Sequence, residues 1–448
     1  MSAADTLRQD IIAVGSYVIV QRQKYRKLYK LPAENGGGNM LALGKERVEM
    51  SAIIGKPFWT TFKMIPTNSN KKLTNGKSYR LEEVHAAESL DDLKDLLPSG
   101  MDNRKITDDG TSQKLSTQEI MELREAGKSG REIVGSLIEN SQTFSAKTKY
   151  SQEKYLRKKE RKYFLYLTIH KPTIHLLQEI YFQQDHVKIG SLRMDSLAQI
   201  LSYCDVKSDG LYLLYDSGSQ GLAAASLLTR IGAKTSGRLV YLHPGNMAQT
   251  TLIRAMNFSN EQINRLSTVN IYSLMRMYYQ DAMESKESFG SRDASGDSSK
   301  LVDPDSPEAQ IQCNDSPNLL KRKHSDATVS SMVPKKKPKW LSETQSAVDL
   351  LKSCKVEGLA ILAAKEHPLN IVKGLLPFLG TSRPFVIFHA YREPLQEVYV
   401  MLKQRCDVMN IRLLSNFLRS YQVLDDRTHP DILMNDVGGY LLVGYLVN

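Results

Sequence analysis

Beyond Gly190 the chain alternates short apolar runs of strand length with stretches that read as helices. The runs are Gly210 to Tyr215 (GLYLLY), Gly237 to Leu242 (GRLVYL), Leu359 to Ala364 (LAILAA) and Phe385 to His389 (FVIFH). Helices are expected over Met194 to Ser202 and Gly221 to Ile231. Strands that are apolar on both faces and separated by helices belong in a parallel sheet covered on both sides, because a half-exposed strand would alternate. The pattern predicts a doubly wound α/β domain over residues 191–448. Ile411 to Leu424 and Tyr440 to Val447 read as an antiparallel pair at its edge.

The first part of the chain reads differently. Ile11 to Arg22 (IIAVGSYVIVQR), the piece around Tyr25, Leu28 and Tyr29, Val48 to Ile54 and Phe58 to Met64 are β-like and punctuated by Gly36-Gly37-Gly38 and Lys56-Pro57. They predict a barrel-like N-terminal β-domain over residues 1–115, with a flexible polar insertion at about 66–114. Residues 116–190 are expected to be a helical connector. It opens where Ser116 precedes Glu119 by three residues, a capping-box spacing, and a second helix is expected from Ser129 to Asn140. A length of 448 residues suits two or three domains. From about 285 to 343 Ser, Asp, Lys and Pro dominate, and so little apolar surface predicts a disordered insertion.

Several function classes fall away at this stage. The four cysteines (Cys204, Cys313, Cys354 and Cys406) form no CxxC pair and read as reduced thiols, so neither a zinc site nor a disulfide framework is expected. The longest apolar runs fall well short of the roughly 20 residues that span a bilayer. Met1 to Asp10 is polar, unlike a secretory signal, and a cytosolic or nuclear protein is expected. The formal net charge of +11 favours an acidic partner.

That charge is concentrated. Between Lys147 and Lys162 (KTKYSQEKYLRKKERK) the cations are Lys147, Lys149, Lys154, Arg157, Lys158, Lys159, Arg161 and Lys162, against only Glu153 and Glu160. With Ser151 as N-cap, a helix here carries Lys154, Arg157, Lys158 and Arg161 on one face, which suits a phosphate backbone through counterion release. Tyr150, Tyr155 and Tyr163 lie among them, either as stacking groups for bases or, with Leu156 and Phe164, as anchors to the domain. Lys24, Arg26, Lys27 and Lys30 form a second string that extends the same RNA-binding surface. Within the expected disordered insertion, Lys321, Arg322 and Lys323 are followed after a polar spacer by Lys335, Lys336, Lys337 and Lys339, the pattern of a bipartite nuclear-import signal; the same charges would also suit a non-specific RNA tether.

The loop after GLYLLY is Asp216-Ser217-Gly218-Ser219-Gln220-Gly221, at the point where doubly wound sheets bind nucleotide-type cofactors. S-adenosylmethionine enzymes of this architecture carry an acidic residue, a GxGxG loop, and a second acidic residue after the next strand. Asp216 and Gly218 keep that pattern, whereas Gln220 and Leu222 stand at the later glycine positions. The next strand ends in His243, and a neutral imidazole cannot replace the paired acceptors of a carboxylate. After LAILAA, where an adenine-N1 methyltransferase has an aspartate before a proline, Ala363 and Ala364 stand at the aspartate position and Glu366 lies further along the loop. A degenerate cofactor site at Asp216, Gly218, Gln220, His243 and Ala364, with no catalytic residue, is the expectation.

Together these features resemble the non-catalytic subunits of the eukaryotic tRNA adenine-N1 methyltransferase, which acts on the T-loop adenine. The resemblance rests on DIIAVGSYVIVQRQ, KPFWTTF, KTKYSQEKYLRKKERKY, LLYDSGSQGL and RLVYLHPGN in that order. It implies an N-terminal β-domain and a C-terminal Rossmann-like methyltransferase fold. It further implies a heterotetramer of two catalytic and two non-catalytic chains, both contacting tRNA, with S-adenosylmethionine held only by the catalytic partner. The edge pieces Ile411 to Leu418 and Tyr440 to Val447 are candidates for the subunit interface, or else ordinary sheet core. Two rival readings remain: a self-sufficient S-adenosylmethionine-dependent RNA methyltransferase, and an RNA-binding scaffold linked to translation initiation.

Overall fold

The computed structural model describes residues 10–33, 39–67, 77–84, 98–104, 106, 112–126, 128–290, 338–364, 366–423, 428–432, 434 and 438–447. The first sheet contains β1 (Tyr17–Arg22), β2 (Tyr25–Lys30), β3 (Met40–Leu43), β4 (Glu46–Glu49), β5 (Thr61–Pro66), β6 (Lys77–Val84) and β7 (Tyr166–His170), in the order β2-β1-β7-β5-β6-β4-β3. Val18, Val20, Leu41, Val48, Phe62, Met64, Tyr79, Leu167 and Ile169 fill its interior. Its two ends approach each other. Lys27 Nζ on β2 donates to the carbonyl of Ala42 on β3 at 2.9 Å, and Arg22 on β1 pairs with Glu46 on β4, so the sheet is nearly closed.

Three expectations for this region change. The strand expected at Val48 to Ile54 ends at Glu49, and a 3-10 turn, Ser51–Ile53, follows. Lys77–Val84 lies within the expected flexible insertion, yet it pairs with β4 and β5, because Tyr79 and Leu81 alternate inward among polar neighbours. The sheet also reaches past residue 115. β7 sits in its middle, antiparallel to both β1 and β5, so the helical connector is an insertion within the β-domain.

That connector has three helices, α1 (Thr117–Glu125), α2 (Gly130–Glu139) and α3 (Lys149–Tyr163). The expected capping box forms at α1, where Ser116 Oγ accepts from Glu119 N–H at 3.2 Å and Glu119 Oε2 accepts from Ser116 N–H at 2.7 Å. Ile133, Val134, Leu137, Phe144, Leu156, Tyr163 and Phe164 form a separate small core beneath α2 and α3.

After α4 (Ile174–Asp185) and α5 (Met194–Tyr203) comes the second sheet, built from β8 (Leu211–Asp216), β9 (Arg238–His243), β10 (Leu266–Asn270), β11 (Gly358–Leu362), β12 (Arg383–His389), β13 (Val408–Ser415) and, beyond the short pair β14 (Tyr421–Gln422) and β15 (His429–Pro430), β16 (Tyr440–Leu446). Their order is β10-β9-β8-β11-β12-β16-β13, with β10 to β12 parallel and β16 antiparallel to both neighbours. This is a doubly wound, Rossmann-like methyltransferase arrangement with a reversed strand beside its edge. α6 (Leu222–Ile231), α7 (Thr251–Ala255), α8 (Asn260–Ile263), α9 (Ile271–Gly290), α10 (Lys339–Ser353), α11 (Pro368–Leu375) and α12 (Glu393–Lys403) complete it. Tyr212 and Leu214 pack in one core while Leu213 and Tyr215 pack in the other, as a sheet covered on both faces requires. Winding reverses between β8 and β11, which places a crevice at their carboxyl ends.

The insertion expected at 285–343 is helical at both margins, since α9 runs to Gly290 and α10 starts at Lys339. Residues 291–337 lie outside the described residues, with Lys321, Arg322, Lys323, Lys335, Lys336 and Lys337 among them. Among the described residues no helix is long and apolar enough to cross a membrane.

Candidate functional site

The crevice at the ends of β8 and β11 is built from the loop that sequence reasoning singled out. Asp216 is only 2% exposed. Gly218 and Ser219 N–H donate to its Oδ1 at 3.0 and 2.8 Å, and the Ser219 hydroxyl donates to its Oδ2. Burial raises its pKa, and these three hydrogen bonds act in the opposite direction. The carboxylate is thus engaged by its own loop. Ser217 ties that loop to the one after β11: its N–H donates to Leu362 O at 3.1 Å, and its Oγ accepts from Ala364 N–H at 2.9 Å.

Small residues then close the space. A Cβ added at Gly218 would stand 2.6 Å from Ala364 Cβ, and one at Gly190 would stand 3.3 Å from the same atom. Gln220, in a left-handed conformation at φ 57°, holds the other side. Its N–H donates to Gln249 Oε1 at 3.3 Å, and its carbonyl accepts from Leu252 N–H at 3.1 Å. Gly221 follows at φ 81°, where a Cβ would lie 2.6 Å from Gln249 O, so only glycine fits.

His243 closes β9. Its Nδ1 lies 2.8 Å from Gly245 O, and because a carbonyl only accepts, Nδ1 carries the proton. Burial lowers its pKa, so the ring is neutral and has a single acceptor, Nε2, to offer. Glu366 does not restore the lost chemistry. It meets the Tyr215 hydroxyl, and together with burial it raises the pKa of that phenol, while its own Oε2 is buried and unpaired among the described residues. These groups do not fit S-adenosylmethionine: Gln220 stands at a later glycine position of the loop, and a neutral imidazole stands where the second carboxylate is needed. Among the described residues no cluster of metal-ligand type occurs, and burial pushes the Cys204 thiol up to about 12.

The basic helix α3 forms as expected except at its start. Thr148, not Ser151, is the N-cap, and its own side chain makes no capping bond. Asn103 does this from outside, accepting from Thr148 N–H at 2.9 Å and donating to Ser151 Oγ at 2.6 Å. Gln152, Leu156 and Tyr163 are buried, whereas Lys149, Lys154, Arg157, Lys158, Arg161 and Lys162 are exposed. Lys159 and Lys147 are half-buried, with Nζ atoms 5.1 and 5.6 Å from the Tyr155 ring centre. Burial, followed by Lys162 and Lys158, lowers the pKa of Lys159. Tyr155 also packs edge-on against Phe144 at 5.3 Å, so Tyr155 is an anchor rather than a stacking surface; Tyr163 is buried at the end of the helix, and Tyr150 is the exposed ring of the three.

The second basic string is divided. Arg26 pairs with Glu179 and donates to Gln21 Oε1 at 2.8 Å, and Lys27 is bonded to Ala42 O. Lys24 and Lys30 remain exposed. Lys339 is exposed on the first turn of α10, 3.5 Å from Glu343. Of the two interface candidates, β16 lies inside the sheet between β12 and β13, so most of Tyr440 to Val447 is core. The edge β13 leads instead into exposed apolar residues, Phe417, Leu418, Tyr421, Val423 and Ile432, the last three of which sequence reasoning did not single out as a surface.

Residues 11–300 match the Gcd10p family. The tRNA (adenine(58)-N(1))-methyltransferase non-catalytic subunit TRM6 of Mus musculus is 33% identical over 374 residues, 78% of this chain and 74% of that protein. The corresponding trm6 subunit of Dictyostelium discoideum is 28% identical over 437 residues, 97% of this chain and 79% of that protein. Among solved structures, a SAM-dependent O-methyltransferase from Thermotoga maritima is 10% identical with a TM-score of 0.46, covering 98% of this chain and 96% of its own. The tRNA (m1A58) methyltransferase TrmI of Aquifex aeolicus is 9% identical with a TM-score of 0.42, covering 98% of this chain and 99% of its own. With a match over residues 11–300 and a relative 33% identical across most of both chains, this chain belongs to the Gcd10p family.

Proposed function

We propose that this chain is the non-catalytic, tRNA-binding subunit of a tRNA adenine-N1 methyltransferase that makes 1-methyladenosine in the T loop. Its relatives in Mus musculus and Dictyostelium discoideum are named tRNA (adenine(58)-N(1))-methyltransferase non-catalytic subunits. The observation that carries the reading for this chain is His243 at the end of β9, a neutral imidazole with one acceptor to offer where a methyltransferase holds the ribose hydroxyls with a carboxylate. The exposed cations of α3 hold the phosphate backbone of the tRNA. S-adenosylmethionine binds only to the catalytic partner, which docks on the apolar edge beyond β13. The assembly contains two copies of each chain and works in the nucleus, addressed there by the basic clusters at 321–323 and 335–339.

The test is calorimetry with S-adenosylmethionine on this chain alone and after co-purification with the catalytic subunit, followed by methyl transfer to tRNA. Binding and turnover only in the pair is the expected result. Turnover by the single chain would replace this reading with a self-sufficient enzyme.

A further inference from the structure

A cleft of 250 Å³ lies between the outer face of the β-domain and the connector helices. Its floor follows from register. Lys63 on β5 is directly opposite Glu82 on β6 and Tyr166 on β7, so the three side chains stand in one row on one face. Their neighbours Met64, Leu81 and Leu167 point into the barrel core, which makes this the outward face. Lys128 just before α2, Ile133 within α2 and Tyr163 from the end of α3 form the walls.

Two features point to a ligand, and a third limits its size. The side chains of Lys63, Glu82 and Lys128 have no hydrogen-bond or ion-pair partner among the described residues. The Tyr163 hydroxyl is buried and has no hydrogen-bond partner among the described residues, an arrangement that calls for a reason. The cleft is also smaller than the roughly 300–1,000 Å³ of small-molecule sites, so it takes one flat group rather than a whole nucleotide chain. Tyr163 is the last residue of the helix whose exposed face carries the phosphate-binding cations.

We propose that this cleft holds one unpaired base of the bound RNA, with guanine the best match. Lys63 and Glu82, side by side, present a donor next to an acceptor. The Watson–Crick edge of guanine offers the complement: O6 accepts from the ammonium, and N1–H and N2–H donate to the two carboxylate oxygens. Adenine and cytosine offer that carboxylate a single amino group. The tyrosine rings supply the apolar walls. The proposal rests on the tRNA-binding reading and deepens it by adding a base-reading site to a phosphate-binding surface.

Glu82→Gln tests it, because charge and base recognition predict opposite signs. The side chain is exposed, so the fold is retained. Removing a negative charge leaves phosphate binding unchanged or tightens it, whereas loss of a two-oxygen acceptor weakens base binding by roughly tenfold. Full-length chain is titrated with fluorescent tRNA at several salt concentrations, and GMP, AMP and CMP are compared as competitors. The expected result is weaker tRNA binding by E82Q, an unchanged salt slope, and a GMP preference that the variant loses. Equal or tighter tRNA binding by E82Q overturns the proposal, as does the absence of any GMP preference in the parent chain. An α3 variant lacking Arg157, Lys158 and Arg161 runs in parallel. If its salt slope falls while E82Q is silent, the cleft alone is misread; if neither variant changes binding, the RNA reading fails as well.

Discussion

Ser217 Oγ accepts the backbone N–H of Ala364 at 2.9 Å, joining the loop after β8 to the loop after β11 across the crevice where this fold binds its cofactor. The bond joins the two strand ends where Gly218 and Ala364 approach so closely that a Cβ on Gly218 would meet Ala364. Gly218→Ala therefore places a methyl group 2.6 Å from another, and such overpacking costs about 1–3 kcal/mol. Urea unfolding measures this. Ala364→Gly in the same chain is expected to recover most of the loss, and purely additive effects of the two changes would show that the contact does not decide stability there.

The doubly wound domain was legible because β8, β9, β11 and β12 are buried on both faces and therefore apolar without alternation. β10 was missed for the converse reason: of Leu266–Asn270 only Val269 is buried, so LSTVN lacks the signal. β7 is five residues long and follows a helix, and its sheet partners lie far away in sequence. The departures of Gln220, Leu222 and His243 from the methyltransferase pattern are visible in the sequence because they are differences of residue type, whereas Asp216 and Gly218 keep that pattern. The close approach of Gly190 to Ala364, and the capping of α3 by Asn103, depend on distant segments meeting, and no local pattern reports them.

The phosphate-binding role proposed for α3 predicts a specific salt response. Arg157→Ala, Lys158→Ala and Arg161→Ala together should weaken tRNA binding and lower the slope of log affinity against log salt by about one unit per lost phosphate contact. Arg26→Ala is the contrasting case. Its guanidinium is already engaged by Glu179 and Gln21, so the slope should stay as it was. Stability should fall by at most about 1 kcal/mol, the range of a partly exposed ion pair. Filter binding across a salt series, with thermal unfolding of each variant, separates the two effects.

Stability should also depend on pH through the buried histidines. Burial lowers the pKa values of His170, His243 and His389 below the ordinary 6.5, and Arg26 adds to this at His170. The unfolded chain therefore binds more protons than the folded one as pH falls through 6.5, so stability is retained above that value and lost below it. Denaturant unfolding between about pH 5 and 8 should show the decline, in the window where histidine titrates. His243→Gln should make it shallower. A parent and variant with the same pH profile would remove His243 from the account.

The apolar edge beyond β13 predicts where the catalytic partner docks. Phe417 is 85% exposed and Ile432 is 88% exposed, and the segments that carry them are joined because Asp431 N–H donates to Ser420 O at 2.9 Å beside the β14–β15 pair. Large apolar side chains gathered in this way on a charged chain mark an interaction surface. Because neither side chain contributes to the core, Phe417→Asp and Ile432→Asp should leave the isolated chain folded. A charge buried against an apolar partner is costly, so each change should reduce co-purification of the catalytic subunit, and with it methyl transfer to tRNA. Tyr445→Asp, on the strand just inside the edge, is the comparison. It should weaken pairing less than either edge change, and a greater loss there would move the interface off the edge and onto the face of the sheet.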